Sequence, residues 1–378
     1  MVNKGFCDGG HAKKIVQMLF FFFFGAQFLY VYSGYIVFQF INMVVGAFSF
    51  FYIYKFIHRN VFLLVICLAI FATLTTLISF KYKIGDVVFA ITMPFFAMLL
   101  FLYRKELTLP AIIYACITTC YCGYAIIMGW DLNTQLFLSS SRNYISVLGI
   151  FSLYCVIISE AKNYIKFVLF ILVFLVILYS GSRSAFISFL FVLFFWGVQF
   201  SKKHKLSFFC FFLLCLAFFL FIMQEYFSLV YDYIYNSLSV VRRLDAGELS
   251  DSGRYNVLKC YYDKLNIMSV FLGLDYFSNN TCSFLANGTD NPHNSFIRLY
   301  ANLGFFSFVI IGFIIWSLFS LLLAGKYFLA GFLLCFVFRG GTDIIFFFQS
   351  WDAYLYSIMF ISLPMFFLNG RGKEKLKH

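Results

Sequence analysis

The stretch IVQMLFFFFFGAQFLYVY, residues 15–32, runs for eighteen residues without a charged side chain. A helix of roughly 20 apolar residues crosses the hydrocarbon core of a bilayer. Lys13 and Lys14 precede the stretch, as they would in a signal peptide. The apolar run is too long for a typical signal peptide, however, and no cleavage motif of small residues follows it. The stretch therefore predicts a retained membrane-spanning helix.

The same pattern recurs along the whole chain. Of its 378 residues, 63% are hydrophobic and only 12% are charged, and the mean hydropathy is +0.90. An ordinary soluble domain has about 25% charged residues. The alternation typical of a membrane β-barrel is absent. The predicted fold class is all-α integral membrane, with about 12 transmembrane helices at residues 15–32, 34–54, 61–80, 87–103, 110–129, 144–159, 166–180, 184–200, 206–223, 299–323, 327–346 and 348–368.

The distribution of basic residues predicts the orientation. With a cytoplasmic N-terminus, 17 of the 28 basic residues fall in inner segments, and short cytoplasmic loops are typically rich in Lys and Arg. Both termini are then cytoplasmic, and residues 1–378 form one polytopic domain with a large outer loop at residues 224–292. The net charge of +12 is accordingly a topogenic signal. The predicted partner is the bilayer and not a nucleic acid.

The predicted outer face is enriched in arginine. Seven of its eleven basic residues are arginines, against three of the seventeen inner ones. Arginine binds phosphate through two parallel hydrogen bonds and stays charged. This bias predicts an anionic ligand on the outer face, with Arg142, Arg298 and Arg339 as binding candidates by position alone. Lipid headgroups would attract the same side chains, and that alternative stays open.

The segment YSGSRSAFISF, residues 179–189, places Arg183 between two apolar runs. A charge inside a membrane helix costs about 2.5–3.5 kcal/mol at the bilayer centre and less toward the interface, so it often marks a cavity or pathway. Arg183 is therefore a candidate functional residue. An ordinary turn with an arginine reaching the interface is the alternative.

A second arginine opens an amphipathic pattern in the predicted outer loop. In SDSGRYNVLKCYYDKL, residues 250–265, apolar and aromatic side chains follow helical spacing. Asp251 or Ser252 suits the N-cap, so Arg254 falls in the first turn. The pattern predicts a helix on the membrane face or over a cleft. The alternative is that Arg254 only lies on the solvated side of this helix and binds no ligand.

The segment TDNPHNSFIRLYANLG, residues 289–304, precedes another apolar run. Asn291 suits an N-cap and Pro292 the first helical position, which predicts His293 in the first turn. The positive end of the helix would hold the imidazole neutral, and a neutral imidazole can accept a proton from a hydroxyl. Asn294 beside it is a candidate substrate-binding residue. The alternative is that His293 lies in the capping region of the helix and has no catalytic role.

The segment RGGTDIIFFFQSWDAYLY, residues 339–356, places Arg339 and Asp343 one helical turn apart. The two side chains either neutralise each other in a structural ion pair or line the same cavity as the other candidate residues. No Gly-rich phosphate loop, Ser/His/Asp set or Cys/His spacing suited to zinc is present. We therefore expect no metal and no cofactor. The cysteines lie mostly in apolar runs and predict no disulfide framework.

These motifs together resemble the O-antigen polymerase and O-antigen ligase superfamily of bacterial inner membranes. The resemblance rests on G-S-R-S-A at a helix start, G-R in the outer-loop helix, and P-H-N-S-F followed by Gly304. It implies a fold like that of C-type glycosyltransferases and a metal-independent transfer of glycan from undecaprenyl diphosphate on the periplasmic face. It further implies that Arg183 and Arg254 hold the diphosphate and that His293 is the base. A chain-length regulator is an implied partner.

The resemblance leaves three functions open. A polymerase, favoured here, would move the growing glycan onto a new lipid-linked repeat unit. The 58 phenylalanines and the Arg-x-x-x-Asp segment resemble such polymerases. A ligase would instead join the glycan to the lipid A core. A flippase or other transporter is the third alternative, although only four prolines and one large loop argue against the usual paired repeats.

Overall fold

The computed structural model describes residues 10–78, 84–131, 135–138, 140–203, 254–265, 267–273 and 294–368. Within these ranges the protein is helical, apart from a single bridge between Ile57 and Leu368. The helices are α1 (Gly10–Ser33), α2 (Ile36–Ile53), α3 (Arg59–Ile78), α4 (Ile84–Leu102), α5 (Arg104–Ile127), α6 (Asn143–Ile158), α7 (Asn163–Ser180), α8 (Arg183–Lys203), α9 (Arg254–Asp263), α10 (Ile267–Leu272), α11 (Ser295–Leu303), α12 (Ser307–Leu323), α13 (Tyr327–Thr342), α14 (Asp352–Ser362) and α15 (Pro364–Phe367).

Seven helical segments in the described ranges are long and apolar enough to cross a membrane. They are His11–Ser33, Ile36–Ile53, Ile84–Leu102, Arg104–Ile127, Asn163–Ser180, Arg183–Ser201 and Ser295–Leu323. Shorter apolar helices cover Arg59–Leu74, Asn143–Ile158 and Tyr327–Thr342. The chain is an all-α, multi-pass membrane protein, as the composition predicts. The predicted span at 206–223 and most of the predicted outer loop at 224–292 lie outside the described residues.

The core of the bundle is built around α4, α6 and α14, whose side chains are buried on nearly every face. A helix that is apolar all round belongs in such a position. One polar group joins this core to α1: the Gln27 side chain accepts hydrogen bonds from Tyr354 at 2.5 Å and Tyr114 at 3.4 Å. It also donates to Ser350 at 3.3 Å. The amide is thereby satisfied where water is excluded.

The last two predicted spans differ from the observed helices. The predictions at 327–346 and 348–368 leave a one-residue break, whereas α13 ends at Thr342 and α14 begins at Asp352. Residues 343–351 form a connection that is largely buried and not helical. The apolar run IIFFF reads as membrane helix in the sequence, yet here it packs inside the protein.

The connection at 343–351 is held by one carboxylate. Phe347 and Phe348 have φ values of 67° and 68°, a conformation that costs a residue with a side chain about 1–2 kcal/mol. Asp352 accepts hydrogen bonds from the N–H groups of Phe347 at 2.5 Å and Phe348 at 2.6 Å. It also accepts one from Gln349 at 3.1 Å. These bonds stabilise a backbone shape that the aromatic residues alone would not adopt.

The helices define two ends of the bundle. At the arginine end, α5, α7 and α13 finish and α6, α8, α11 and α14 begin. At the opposite end, called the cavity end, α5, α7 and α13 begin and α6, α8 and α14 finish. The predicted orientation makes the arginine end the outer one.

Candidate functional site

Arg339 is the centre of the arginine end. Its side chain is 2% exposed and lies in the last turn of α13. One guanidinium nitrogen, Nη1, donates to Ser184 Oγ at 2.5 Å. The other, Nη2, donates to the Asn143 carbonyl at 3.5 Å and forms an ion pair with Asp343 Oδ2 at 3.5 Å. Arg339 thereby joins the starts of α6 and α8 to the end of α13.

Asn294 joins α11 to the same place. It is the N-cap of α11, and its Oδ1 accepts from the N–H groups of Phe296 at 2.8 Å and Ile297 at 3.2 Å. Its Nδ2 donates to the Gly341 carbonyl at 3.0 Å. Capping side chains fix the direction in which a helix leaves a loop. The start of α11 is therefore pinned beside the end of α13.

Ser295 strengthens this junction. Its hydroxyl donates to the Asp343 carbonyl at 2.7 Å and accepts from the N–H groups of Ile345 at 3.0 Å and Phe346 at 3.1 Å. One buried hydroxyl thus satisfies three backbone groups of the connection that follows α13.

Arg183 is the first residue of α8. The preceding helix ends because Gly181 adopts φ 64°, which glycine adopts without strain. Ser182 Oγ then accepts from the Ala185 N–H at 3.4 Å, near the start of the new helix. Arg183 is partly exposed, and within the described residues its guanidinium has no hydrogen bond or ion pair. It is adjacent in sequence to Ser184, which holds Arg339.

We call this group the arginine cluster. Its members all lie at helix ends, and Asn143, Ser184, Ser295, Arg339 and Asp343 are joined by direct contacts. Arg183 and Asn294 adjoin Ser184 and Ser295 in sequence, and Asn294 also bonds the Gly341 carbonyl at the end of α13. The cluster therefore consists of Asn143, Arg183, Ser184, Asn294, Ser295, Arg339 and Asp343. Three predicted site residues, Arg183, Asn294 and Arg339, are therefore brought together, and Arg142 directly precedes Asn143.

Arg298 lies in a separate contact. Its guanidinium forms an ion pair with Asp86 at 3.0 Å and donates to the Phe348 carbonyl at 3.4 Å. Asn302 donates to the second oxygen of the same carboxylate at 3.3 Å. The arginine predicted as a ligand-binding residue thus already holds an acid at the start of α4.

The two other predicted catalytic residues are Arg254, in the predicted outer loop, and His293, which directly follows that loop. Arg254 is the first residue of α9, in the first turn as predicted. His293 lies outside the described residues. The predicted N-cap is wrong: α11 begins at Ser295 with Asn294 as its N-cap, instead of beginning after Asn291. The two candidates, Asn291 and Asn294, are the same residue type three positions apart, so composition alone could not distinguish them.

Two glycines allow the end of α10 to approach the end of α11 closely. A Cβ on Gly273 would clash with the Ala301 carbonyl oxygen, and one on Gly304 would clash with that of Phe271. Only glycine permits this approach. Cys260 in α9 is disulfide-bonded, although the sequence predicted no disulfide framework. Disulfides are typical of oxidising compartments such as the periplasm.

Sequence reasoning missed four partner residues. Ser184, Asn143 and Ser295 are small polar residues at helix starts, and Asp86 is an acid at the start of an apolar run. Each has a faint signal, since a polar residue beside an apolar run often marks a helix end. Nothing in the sequence indicates which helix end each one faces. Among the described residues, no group of three or more His, Cys, Asp or Glu gathers as metal ligands would.

Residues 167–312 match the family model described as O-antigen ligase. The matched stretch is less than half of the chain and contains Arg183, Arg254 and His293. The match confirms the predicted resemblance to the O-antigen polymerase and ligase superfamily. That family covers both ligases and polymerases, and its members are glycosyltransferase-like enzymes acting on lipid-linked glycans. No curated protein and no solved structure matches the chain.

Proposed function

We propose that this protein is an O-antigen polymerase of the bacterial inner membrane. It transfers a growing glycan from undecaprenyl diphosphate to a new lipid-linked repeat unit on the periplasmic face. The family match at 167–312 supports the reaction class. The disulfide at Cys260 supports a periplasmic position for α9. With the spans that the sequence predicts, both termini are cytoplasmic in this proposal.

The observation that carries the proposal is the state of Arg183. Arg339 and Arg298 are each paired with an acid, whereas Arg183 has no such partner in the described part of the chain. A partly exposed guanidinium without an acid is available for an external anion. In this proposal, Arg183 and Arg254 bind the donor diphosphate.

The proposed reaction needs a base and a stabilised leaving group. The acceptor hydroxyl oxygen forms a bond to the anomeric carbon of the donor glycan, and the bond from that carbon to the diphosphate oxygen breaks. His293 accepts the hydroxyl proton. The diphosphate leaves with the bonding electron pair, and the two arginines stabilise its charge. Cations fixed at a developing charge contribute the largest part of many rate enhancements.

The arginine cluster then has a positioning role. Arg339 and Asn294 fix the starts of α8 and α11. Arg183 is the first residue of α8, and His293 directly precedes Asn294 in the sequence. In the proposed site, this contact network sets the separation between the diphosphate-binding arginine and the base. The Arg339–Asp343 pair also realises the Arg-x-x-x-Asp pattern that favours a polymerase over a ligase.

An O-antigen ligase is the second candidate, because the matching family is described by that name. The two reactions share the donor and differ in the acceptor. Purified protein should elongate undecaprenyl-diphosphate-linked repeat units if it is a polymerase. Transfer to lipid A core without elongation would identify a ligase instead.

A deletion strain tests the function in the cell. The lipopolysaccharide of the strain should show a core with a single repeat unit, and wild-type protein should restore the ladder. His293→Ala and Arg254→Ala should not restore it. Lys259→Ala is the matched control, since Lys259 is an exposed cation on the same helix as Arg254, and it should behave as wild type.

Other lipopolysaccharide patterns on a gel of the deletion strain would indicate other functions. Bare core would indicate a ligase or a flippase, and an unchanged ladder would exclude all three functions. Full restoration by His293→Ala would remove that histidine from the mechanism.

A further inference from the structure

A cavity of about 620 Å³ lies at the cavity end of the bundle, opposite the arginine cluster. It is bounded by the starts of α5, α7 and α13 and by the ends of α6, α8 and α14. Three basic side chains line it, and they are Arg104, Lys166 and Lys326. The proposed glycosyl transfer uses none of them.

The three cations outnumber the nearby acids, since Glu160 is the one acid that acts electrostatically on Arg104 and Lys166 among the described residues. Within the described residues none of the three forms an ion pair. Arg104 Nε donates to the Phe101 carbonyl at 3.2 Å, and Lys166 Nζ donates to the carbonyls of Ile157 at 2.9 Å and Ser159 at 2.8 Å. Carbonyl oxygens orient a cation without neutralising it. The cavity therefore carries an excess of positive charge.

The backbone adds to that charge. The helices α5, α7 and α13 all begin at the cavity, and the start of a helix carries roughly half a positive charge. Partial desolvation and the neighbouring Arg104 guanidinium both lower the pKa of Lys326. The cations and the helix starts thus repel one another, and a bound anion would reduce that repulsion.

The remaining wall of the cavity is aromatic. The Trp196 ring centroid lies 5.1 Å from that of Phe170 and 6.2 Å from that of Phe167. Phe200 and Phe328 line the same space. Tryptophan and basic side chains together are typical of the membrane interface, where a ligand has a charged head and an apolar body.

We infer that this cavity binds the phosphate headgroup of an anionic phospholipid from the leaflet opposite the arginine cluster. The cations and helix starts would hold the phosphate, and the aromatic wall would contact the upper acyl chains. Basic pockets between membrane helices commonly bind anionic lipids in this way. The predicted orientation makes this leaflet the cytoplasmic one. The inference does not rest on glycosyl transfer.

The test compares full-length protein in nanodiscs of phosphatidylcholine, with and without phosphatidylglycerol. The lipid retained after purification is measured by native mass spectrometry, and the melting temperature is measured in parallel. Phosphatidylglycerol should be retained by the wild type and should raise its melting temperature. Binding should weaken about fivefold for each charge removed in Arg104→Gln and Lys326→Gln.

Matched variants separate this site from general charge effects. Lys105→Gln removes an exposed cation next to Arg104 that does not line the cavity, and it should bind as wild type. Arg104→Lys keeps the charge and should keep most of the binding. Lys326 is exposed, so Lys326→Gln should fold and show the fivefold loss even if Arg104→Gln does not fold.

Two results would overturn the inference. Equal loss of phosphatidylglycerol in Lys105→Gln and the cavity variants would assign the effect to surface charge. Stabilisation by inorganic phosphate in phosphatidylcholine nanodiscs, with none by phosphatidylglycerol, would identify a free phosphate as the ligand instead of a lipid. Glycan elongation by Lys326→Gln would be measured separately, so failure of one proposal leaves the other testable.

Discussion

The two ends of the bundle use their basic side chains differently. At the arginine end, Arg339 and Arg298 are each paired with an acid and with backbone carbonyls. At the cavity end, Arg104 and Lys166 contact carbonyls, and with Lys326 they line an open space and form no ion pair within the described residues. A cation with its own acid is already neutralised, whereas an accessible cation without an acid is available to an external anion.

Arg183 is the informative exception at the arginine end. It lies among paired residues but has no acid of its own in the part of the chain that the structure describes. We propose that pairing, and not charge alone, separates structural arginines from ligand-binding ones. Four substitutions test this distinction.

The largest expected effect is on stability at Arg339. Arg339→Ala leaves Asp343 without its cation and releases the contacts to α6 and α8, and loss of one partner of a buried pair costs about 3–5 kcal/mol. We expect a sharp fall in the folded fraction, measured by thermal unfolding in detergent. Arg339→Lys should recover part of this loss. Wild-type stability in Arg339→Ala would mean that pairing does not mark a structural role.

Arg183→Ala should change stability little and activity greatly. Because the substitution leaves no described acid without its cation, the free energy of unfolding should stay within about 0.5 kcal/mol of the wild type. Removal of one donor from a developing anion typically lowers the rate about 10²–10³-fold, and we expect that loss in the initial rate of glycan elongation. Arg183→Lys should retain part of the activity. Full activity in Arg183→Ala would break the link between an unpaired arginine and ligand binding.

Asn294→Ala tests the junction between α11 and α13. It removes an N-cap, which costs about 0.5–2 kcal/mol, together with the bond to the Gly341 carbonyl. Chemical unfolding should detect the loss. Asn294→Ser keeps a capping oxygen, so its stability should lie between those of the wild type and Asn294→Ala. Equal stability of all three proteins would contradict the capping role.

Lys326→Ala has the smallest expected effect on stability. The residue is exposed and lies beside another cation, so its removal should change the free energy of unfolding by no more than about 0.5 kcal/mol. Thermal unfolding in neutral detergent, without anionic lipid, is the measurement. A loss as large as that of Arg339→Ala would mean that cations at both ends have structural roles.

Much of the fold could be predicted because membrane insertion depends on local composition. The start of α8 lies within one residue of the prediction, since Gly181 ends α7, and Arg254 lies in the first turn of α9. The end of α13 could not be predicted. Residues 343–351 are apolar enough for a helix, and only long-range bonds from Ser295 and Asp352 hold them in another shape.

The candidate site was predictable only in part. The arginines stood out because a charge within apolar sequence is costly and therefore rare. Their partners did not stand out, because serine and asparagine are common at any helix end. The basic cavity was not predicted either, although the predicted orientation places Arg104, Lys166 and Lys326 together on the inner face.

The sequence by itself determined that this is a multi-pass helical membrane protein and which side chains are candidates for function. Those properties follow from runs of apolar residues and from the cost of placing charge among them, and both can be judged one segment at a time. Only the tertiary structure decided which cations are paired. The acid of Arg298 is 212 residues away, and Arg339 contacts a serine 155 residues away. Contacts over such separations depend on how whole helices pack, which no local pattern specifies.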